Sequence, residues 1–491
     1  MADVPNSAQA PTVNARFRVL LATSELAPWV KSGGLADVAA GLGRALGRRG
    51  HDVRIVMPYY ETQFDPAQPE RVVASSFIDG YRIDVLEARL GDLSAYLLRC
   101  PALYARPGTP YGDGAGADWP DNDERFGVFG RAVAWLADRH ALRGFVPDVV
   151  HLNDWPSALA APFVTAQPDR PGVLFTIHNL GYQGLFPRES FDRLETRIGL
   201  DRSWWSPAAL EFHGRLSFIK AGLAFADRLS TVSTGYAREI QTDELGFGLG
   251  GLLRQRAGDL HAIVNGIDTD RWDPARDPLI THHYDADRLS VKSRNKALLQ
   301  RELGLEVESR RPLAAVISRL VPQKGIDLVA DALPELLDRG LQLAALGSGA
   351  EDIERRLERA GIDHSGKVAY RGGMDEALAH RLEAGADLLL MPSRYEPCGL
   401  NQMYSMRYGT VPVVRRTGGL ADTVDAATGF LFDEPTADAL VQAVGDALDA
   451  YVDSERWLRL QQNGMRRDFS WNRSAADYEG LYGDLCDRHG R

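Results

Sequence analysis

Two short apolar stretches decide the fold class of this chain: FRVLLAT at residues 17–23 and DVRIVM at residues 52–57. Each stretch predicts a buried strand. The segment between them predicts a helix from about Leu35 to Arg49, which Gly50 ends. Because a helix that joins two strands in this way forms a β-α-β unit, the sequence predicts an α/β fold with a parallel sheet.

The alternation of strands and helices continues along the chain with one interruption. Alternating residues from about Phe77 to Cys100 predict antiparallel hairpins, and a Gly-, Pro- and Asp-rich loop of a kind that is often mobile follows at residues 106–123. Further strands are predicted at residues 147–152, 172–177, 228–232, 261–264, 313–317, 341–346, 368–370, 388–391 and 411–414. We therefore expect two doubly wound Rossmann-like domains, at residues 17–265 and 266–470.

Composition and charge exclude several classes of protein. A chain of 491 residues is too long for one ordinary core, and its 44% hydrophobic and 25% charged residues are typical of a soluble globular protein. The net charge of -11 argues against broad binding to nucleic acid or to an anionic membrane, although a few local cations can still hold an anionic substrate.

The cysteines and the chain start indicate the compartment. Cys100, Cys398 and Cys486 are scattered without CxxC spacing, which predicts a reduced compartment without a disulfide framework. Residues 1–16 lack the apolar core of a signal peptide, and no apolar run reaches the roughly 18 residues of a membrane span. We therefore expect a cytoplasmic protein.

One short motif occurs twice: KSGGLADV at residues 31–38 recurs as RTGGLADT at residues 416–423. Each copy is predicted to follow a strand and to open a helix. Paired glycines let a backbone approach a ligand closely, the helix N-terminus offers free amides to an anion, and Lys31 adds a positive charge. Chance recurrence, a packing glycine at a helix start, a tight turn and a solvated lysine stay open as alternatives.

In the first half of the chain, polar residues follow two predicted strands, where open parallel sheets bind their ligands. Asp154 in HLNDW could accept sugar hydroxyls or face a developing positive charge; since Pro156 is a good first helical residue, helix capping is the alternative. His178 at the end of the strand at 172–177 precedes two glycines, which suggests backbone packed against a ligand. A histidine that satisfies loop carbonyls is the alternative.

In the second half, charged residues follow two more predicted strands. Arg319 and Lys324 could clamp a diphosphate, because Arg binds bidentately and Lys acts as a point charge; surface charge at a turn is the alternative. Glu396 lies in the loop after the strand at 388–391, where a carboxylate can accept two sugar hydroxyls. An acid that stabilises a helix N-terminus is the alternative.

Six motifs, in order, resemble those of the bacterial glycogen synthase and plant starch synthase family of GT-B glycosyltransferases. They are KSGGLADV, HLNDW, TIHNLGYQG (176–184), NGID (265–268), SRLVPQKGIDL (318–328) and PSRYEPCGLNQMYSMRYGTVPVVRRTGGLADTV (392–424). The resemblance spans about residues 17–485. It implies a GT-B fold of two facing Rossmann-like domains with a cleft between them, and a C-terminal helix at residues 471–491 that packs back on the first domain.

The resemblance also implies roles for individual residues. The residues expected to be catalytic are Asp154, His178, Arg319, Lys324 and Glu396. The residues expected to bind the donor sugar or its phosphates are Lys31, Gly33, Gly34, Asp37, Asn179, Cys398, Gly399, Leu400, Thr417, Gly418, Gly419 and Leu420. Among these, Asp37 should support the Lys31 loop, and Cys398 should lie near the site without acting as a nucleophile.

The activity implied by the resemblance is transfer of glucose from ADP-glucose to the non-reducing end of an α-1,4-glucan such as glycogen, with retention and release of ADP. No cofactor, metal ion or nucleic acid is expected; the sequence contains no HExxH motif and no paired cysteines. The wider GT-B pattern often has a second Glu eight residues after the first. Tyr404 stands there, a change that enzymes of this family share.

Three other functions stay open at this point. A related GT-B enzyme could use UDP-glucose or a short acceptor. A nucleotide-dependent dehydrogenase would need an intact GxGxxG, but Asp352 replaces the third glycine after Gly347 and Gly349. A non-catalytic binding module would not need the charged candidates named above.

Overall fold

The computed structural model describes residues 16–64, 71–114 and 116–490. Residues 1–15, on which most of the prediction of a missing signal peptide rests, lie outside the described residues. The strands are β1 (Arg18–Ala22), β2 (Asp52–Pro58), β3 (Arg71–Ile78), β4 (Tyr81–Leu90), β5 (Leu93–Arg99), β6 (Val149–Asn153), β7 (Gly172–Ile177), β8 (Leu185–Phe186), β9 (Glu211–Phe212), β10 (Arg215–Ser217), β11 (Arg228–Thr231), β12 (Leu260–Ala262), β13 (Leu313–Ile317), β14 (Gln342–Leu346), β15 (Val368–Arg371), β16 (Leu388–Met391), β17 (Val411–Arg415) and β18 (Phe430–Phe432).

Helices connect most of these strands. They are α1 (Gly34–Arg48), α2 (Pro101–Tyr104), α3 (Asn122–Ala137), α4 (Asp154–Ala158), α5 (Ala160–Thr165), α6 (Arg188–Ile198), α7 (Phe218–Phe225), α8 (Thr234–Glu239), α9 (Gly250–Gln255), α10 (Lys292–Leu303), α11 (Ile326–Asp338), α12 (Glu351–Asp363), α13 (Glu376–Gly385), α14 (Asn401–Arg407), α15 (Gly418–Thr423), α16 (Ala437–Val452), α17 (Ser454–Met465) and α18 (Trp471–Arg488).

A nine-stranded sheet has the order β12-β11-β7-β6-β1-β2-β5-β4-β3. Its centre is parallel, because β1 pairs with both β2 and β6, and β6 pairs with β7. The edge of the sheet that ends at β3 is antiparallel, because β4 forms antiparallel pairs with both β3 and β5. The predicted β-α-β unit and the predicted hairpins are therefore both confirmed.

A second sheet is parallel throughout, in the order β15-β14-β13-β16-β17-β18. Strands such as β7 and β14 are buried along their whole length. Strands that are buried along their whole length belong to parallel sheets that helices cover on both faces. The two sheets and their helices confirm the α/β prediction of two Rossmann-like domains.

The contacts within the chain define two compact units. The first runs to Ser230 and resumes at Asn472, and the second comprises Thr231–Trp471. The sequence analysis instead places the boundaries at 265/266 and 470/471. The observed boundary at 230/231 lies before α8, so that α8 belongs to the second unit. Ser233, at the N-cap of α8, donates a hydrogen bond to Pro397 O of that unit (2.5 Å).

No helix in the described part of the chain has both the length and the apolar character needed to cross a bilayer. The three cysteines are buried and unbridged.

In the first unit the C-terminal helix α18 contributes Tyr482, whose hydroxyl lies 2.9 Å from His151 Nδ1 on β6.

Candidate active site

In the first unit, a buried carboxylate holds the glycine loop of the first repeat. Glu25 Oε2 accepts hydrogen bonds from the amides of Ser32 (2.6 Å) and Gly33 (3.0 Å). Its other oxygen accepts one from the hydroxyl of Tyr111 (2.6 Å), which the loop at 106–123 supplies. Burial raises the pKa of Glu25, and these hydrogen bonds partly offset the increase. The hydrogen bonds of Glu25 therefore hold the loop before α1 in place.

Lys31 projects from this fixed loop beside Asp37. Lys31 Nζ lies 2.9 Å from Asp37 Oδ2, so Asp37 supports the lysine directly. Gly33 has extended backbone angles that any residue adopts, and a Cβ added there would meet no protein atom within 4 Å. Neither conformation nor packing therefore requires a glycine at 33, which is the pattern expected where a ligand approaches the backbone.

Three neighbouring strand ends bring the other first-unit candidates together. Asn153 at the end of β6 donates from Nδ2 to Ala22 O at the end of β1 (3.0 Å). Asp154 Oδ1 accepts from the amide of His178 (2.8 Å), just past β7, and from that of Asn179 (3.3 Å). The carboxylate of Asp154 thus binds the β7 loop instead of capping α4, which has Asn153 at its N-cap position.

Asp154 is buried and has a strained backbone conformation. Burial raises the pKa of its carboxyl to about 7, against the lowering effect of the two amide hydrogen bonds. Its φ of 54° lies in the left-handed region, which is costly for a residue with a side chain. Strain and a shifted pKa at one residue are characteristic of functional sites.

His178 is neutral in this environment, because burial lowers its pKa to about 3. Its Nε2 lies 2.9 Å from Asn153 Oδ1. Since the Asn153 amide nitrogen already donates to Ala22, the oxygen must accept, and His178 carries its proton on Nε2. Nδ1 is then an acceptor that suits a sugar hydroxyl, and His178 is not a cation here.

In the second unit, Lys324 and Glu396 form a close pair after strands β13 and β16. Lys324 Nζ lies 2.5 Å from Glu396 Oε2, and Ser393 Oγ donates to the same oxygen (3.1 Å). Glu396 is buried and Lys324 is half-buried. Arg319, which follows the same strand as Lys324, is exposed. A carboxylate and two cations therefore follow neighbouring strands of one sheet.

The second repeat packs directly on the Glu396 loop. The amide of Gly419 donates to Glu396 O (3.0 Å), and a Cβ at Gly419 would collide with the backbone of Cys398. Gly418 has a φ of 42° and lies against the same carbonyl of Glu396. Here, unlike at Gly33, packing within the protein requires the glycines. Both copies of the motif nevertheless open a helix, as predicted.

A carboxylate that the sequence analysis missed holds the second copy as Glu25 holds the first. Glu239 Oε1 accepts from Gly418 N (2.7 Å) and from Thr417 Oγ1 (2.8 Å). In return, Asp422 of the motif accepts from the amides at the start of α8. Glu239 was missed because its partners lie about 180 residues away in sequence.

Gln402 is a second residue that the sequence analysis did not identify. It is fully buried, and its Nε2, which has two hydrogens to donate, lies 3.0 Å from each of the acceptors Cys398 O, Gly399 O and Thr423 Oγ1. It therefore joins the loop at 396–400 to α15. The motif at 392–424 contains Gln402, but an amide on a helix gives no signal from which its partners could be predicted.

Cys398 lies in the same loop and is not a reactive thiol. Burial raises its pKa to about 12, in spite of a hydrogen bond from the backbone of Asn265. Leu400 immediately precedes α14, and Leu420 is fully buried in α15.

In the described part of the chain, no group of three His, Cys, Asp or Glu side chains is placed to hold a metal ion.

Comparisons with known proteins agree with this architecture. Residues 18–255 match the family model of the starch synthase catalytic domain, and residues 304–466 match that of glycosyl transferases group 1. The chain is 48% identical to a glycogen synthase of Dechloromonas aromatica (95% of this chain, 98% of the relative) and 49% identical to one of Anaeromyxobacter dehalogenans (96% and 100%).

A solved structure gives the same result at the level of the fold. The catalytic domain of starch synthase IV from Arabidopsis thaliana, bound to ADP and acarbose, superposes with a TM-score of 0.87 at 35% identity, covering 96% of this chain and all of that one. The two Rossmann-like domains and these matches define a GT-B glycosyltransferase. More narrowly, the chain belongs to the glycogen synthase family.

Proposed function

We propose that the protein transfers glucose from ADP-glucose to the non-reducing end of an α-1,4-glucan such as glycogen, with retention and release of ADP. The observation that carries the proposal is the Lys324–Glu396 pair, which joins a cation to a sugar-binding carboxylate after neighbouring strands. Family membership supports the nucleotide-sugar donor and the glucan acceptor. The starch synthase neighbour, whose structure holds ADP, supports the choice of nucleotide.

The second-unit residues act mainly on the leaving group in this proposal. Arg319 and Lys324 stabilise the negative charge that grows on the β-phosphate as the bond from the glucosyl C1 to the phosphate oxygen breaks. Glu396 accepts hydrogen bonds from the donor glucose, with Gly399 and Leu400 against sugar and phosphate. Thr417, Gly418, Gly419 and Leu420 lie near the phosphates.

The first-unit residues are proposed to bind the glucose and the diphosphate of the donor. Lys31, held by Asp37, reaches the diphosphate, and the open Gly33 with Gly34 lines the glucose. Asp154 faces the positive charge of the oxocarbenium-like transition state. Neutral His178 accepts from a sugar hydroxyl, and Asn179 contacts the sugar.

In this proposal, the transfer of glucose needs no nucleophilic residue of the protein. The glucan 4-hydroxyl oxygen forms the new bond to C1, ADP leaves with the electron pair of the broken bond, and the hydroxyl proton passes to a phosphate oxygen. Attack on the face that ADP leaves gives retention. Independence from metal ions and cofactors, cytoplasmic localisation and the absence of nucleic acid and membrane partners remain predictions.

Variants at the Lys324–Glu396 pair test the proposal. Lys324→Ala and Glu396→Ala should each lower the rate of glucose incorporation into glycogen by about 100- to 1,000-fold, the loss typical of one preorganised electrostatic contact. Arg355→Ala is the matched control, because Arg355 is an exposed cation of the same unit whose partner Glu351 is also exposed. Equal rates for all three variants would refute the assigned roles.

A further inference from the structure

A column of three stacked rings lies in the second unit, at residues that the reaction does not use. Trp272 is sandwiched between His380 on α13 and Tyr404 on α14, with ring centroids 3.8 Å and 3.9 Å apart and both pairs within 14° of parallel. All three side chains are buried. Parallel rings at this distance fix both the position and the tilt of the side chains that carry them.

The column ends on a buried contact between a histidine and a carboxylate. His380 Nδ1 lies 2.7 Å from Asp277 Oδ2, which also accepts a hydrogen bond from the hydroxyl of Tyr408 (2.6 Å). Burial lowers the pKa of His380, but the carboxylates of Asp277 and Glu376 outweigh this effect, and the pKa is raised. The contact with Asp277 therefore holds the imidazole ring in place at the end of the stack.

The short helix α14 connects this column to the Glu396 loop. Midway along the helix, Tyr404 stacks on Trp272, and Tyr408, just beyond its C-terminal end, binds Asp277. At its near end, Asn401 Nδ2 donates to Ile317 O, and Gln402 binds the carbonyls of the loop at 396–400. A tilt of α14 would therefore move that loop.

We propose that Trp272, with His380 and Tyr404, is a positioning residue for the donor-binding loop. The inference rests on the proposed function, since it concerns the loop that carries Glu396. It also explains why Tyr404 occupies the position of a second Glu in the wider GT-B pattern. A carboxylate there would be buried against an indole, whereas a tyrosine ring completes the stack.

Activity measurements on paired variants test the positioning role. Trp272→Leu and Tyr404→Leu should lower kcat by about 10- to 100-fold, because small misplacements at a reacting centre have effects of this size. The affinity for ADP should fall less than kcat, since Arg319 and Lys324 follow β13 and do not belong to the loop at 396–400. Trp272→Phe and Tyr404→Phe retain a ring and should restore most of kcat.

Leu336→Ala is the matched control for loss of stability, because Leu336 is fully buried in a core cluster of the same unit that does not include the column. At a temperature where all variants are folded, it should retain the kcat of the wild type. If Trp272→Leu and Tyr404→Leu also retain it, the positioning role is wrong.

A second readout separates this inference from the proposed function. Cys398 is buried in the loop that α14 holds, whereas Cys100 is buried in the first unit. Trp272→Leu should speed alkylation of Cys398 relative to Cys100, as followed by peptide mass spectrometry, and Leu336→Ala should not. An unchanged ratio would overturn the inference even if the wild type transferred glucose. A wild type without transfer would overturn the proposed function alone.

Discussion

At the scale of single residues, Asp154 shows how a candidate functional position conflicts with stability. Its side chain is buried without a cation within hydrogen-bonding reach in the described structure, and its backbone adopts left-handed angles. The two amides that it binds organise the loop after β7. In the proposed function, the charge of this carboxylate faces the positive charge of the transition state, and a strongly shifted pKa is common at such sites.

The pH dependence of stability should change in Asp154→Asn. The folded-state pKa of about 7 exceeds the ordinary value of 3.8, so the stability from this group is present below about pH 4 and is lost as the pH rises through 7. An asparagine keeps the acceptor oxygen and tolerates a φ of 54°. At about pH 8 the variant should gain about 1 to 4 kcal/mol of unfolding free energy, since each pKa unit is worth about 1.4 kcal/mol.

Urea unfolding at about pH 5 and pH 8 measures this effect, with the wild type as the control at each pH. The gain should be smaller at the lower pH, and the variant should have lost transfer activity. A gain of equal size at both pH values would show that the buried charge is not its origin.

At this scale, part of the candidate site could be predicted from the sequence. Lys324 and Glu396 could be predicted because each follows a recognisable strand, and their contact at 2.5 Å agrees with that placement. Glu25, Glu239 and Gln402 could not be predicted, because each acts through backbone atoms whose positions depend on the complete fold. Their residue types carry no pattern of their own.

At the scale of elements, the two copies of the repeated motif have different requirements. In the second copy, Gly418 and Gly419 are both needed, because a Cβ at either would collide with the backbone of Glu396 or Cys398. In the first copy, Gly33, the counterpart of Gly418, meets no protein atom within 4 Å. The first glycine of the motif therefore serves packing in the second unit and, in the proposed function, ligand approach in the first.

Alanine at each glycine should separate these two requirements. Gly419→Ala should lower the thermal unfolding midpoint and reduce transfer, because its Cβ collides with backbone. Gly33→Ala should leave the midpoint unchanged but raise KM for the donor. Gly480→Ala on α18 is the control, since its Cβ meets nothing and alanine favours a helix.

Calorimetry and donor titrations of the three variants check these expectations. A Gly33→Ala variant with normal KM for the donor would contradict the proposed ligand approach at this loop.

The long elements could be predicted from sequence, and the short ones could not. Strands such as β7 and β13 consist mostly of apolar residues, and their observed bounds equal the predicted ones. Strands β8, β9 and β10 have two or three residues each and pair only with one another. A run of that length contains no periodicity from which a strand can be recognised.

At the scale of the whole molecule, the chain combines two Rossmann-like domains with charged and polar residues at strand ends in each. The boundary between the compact units was the hardest feature to predict. Residues 231–265 continue the alternation of strands and helices of the first domain, yet α8 is bonded through Ser233 and Glu239 to the second unit. A sequence pattern predicts local secondary structure, but it does not predict hydrogen bonds between residues that are far apart in the sequence.

The central claim is the transfer of glucose from ADP-glucose to a glucan. The most direct measurement is glucose incorporation into glycogen from ADP-glucose and, in parallel, from UDP-glucose, with EDTA present in both. We predict strong incorporation from ADP-glucose that survives EDTA and much weaker incorporation from UDP-glucose. No incorporation from either donor would contradict the proposed function and would leave only the fold and the family established.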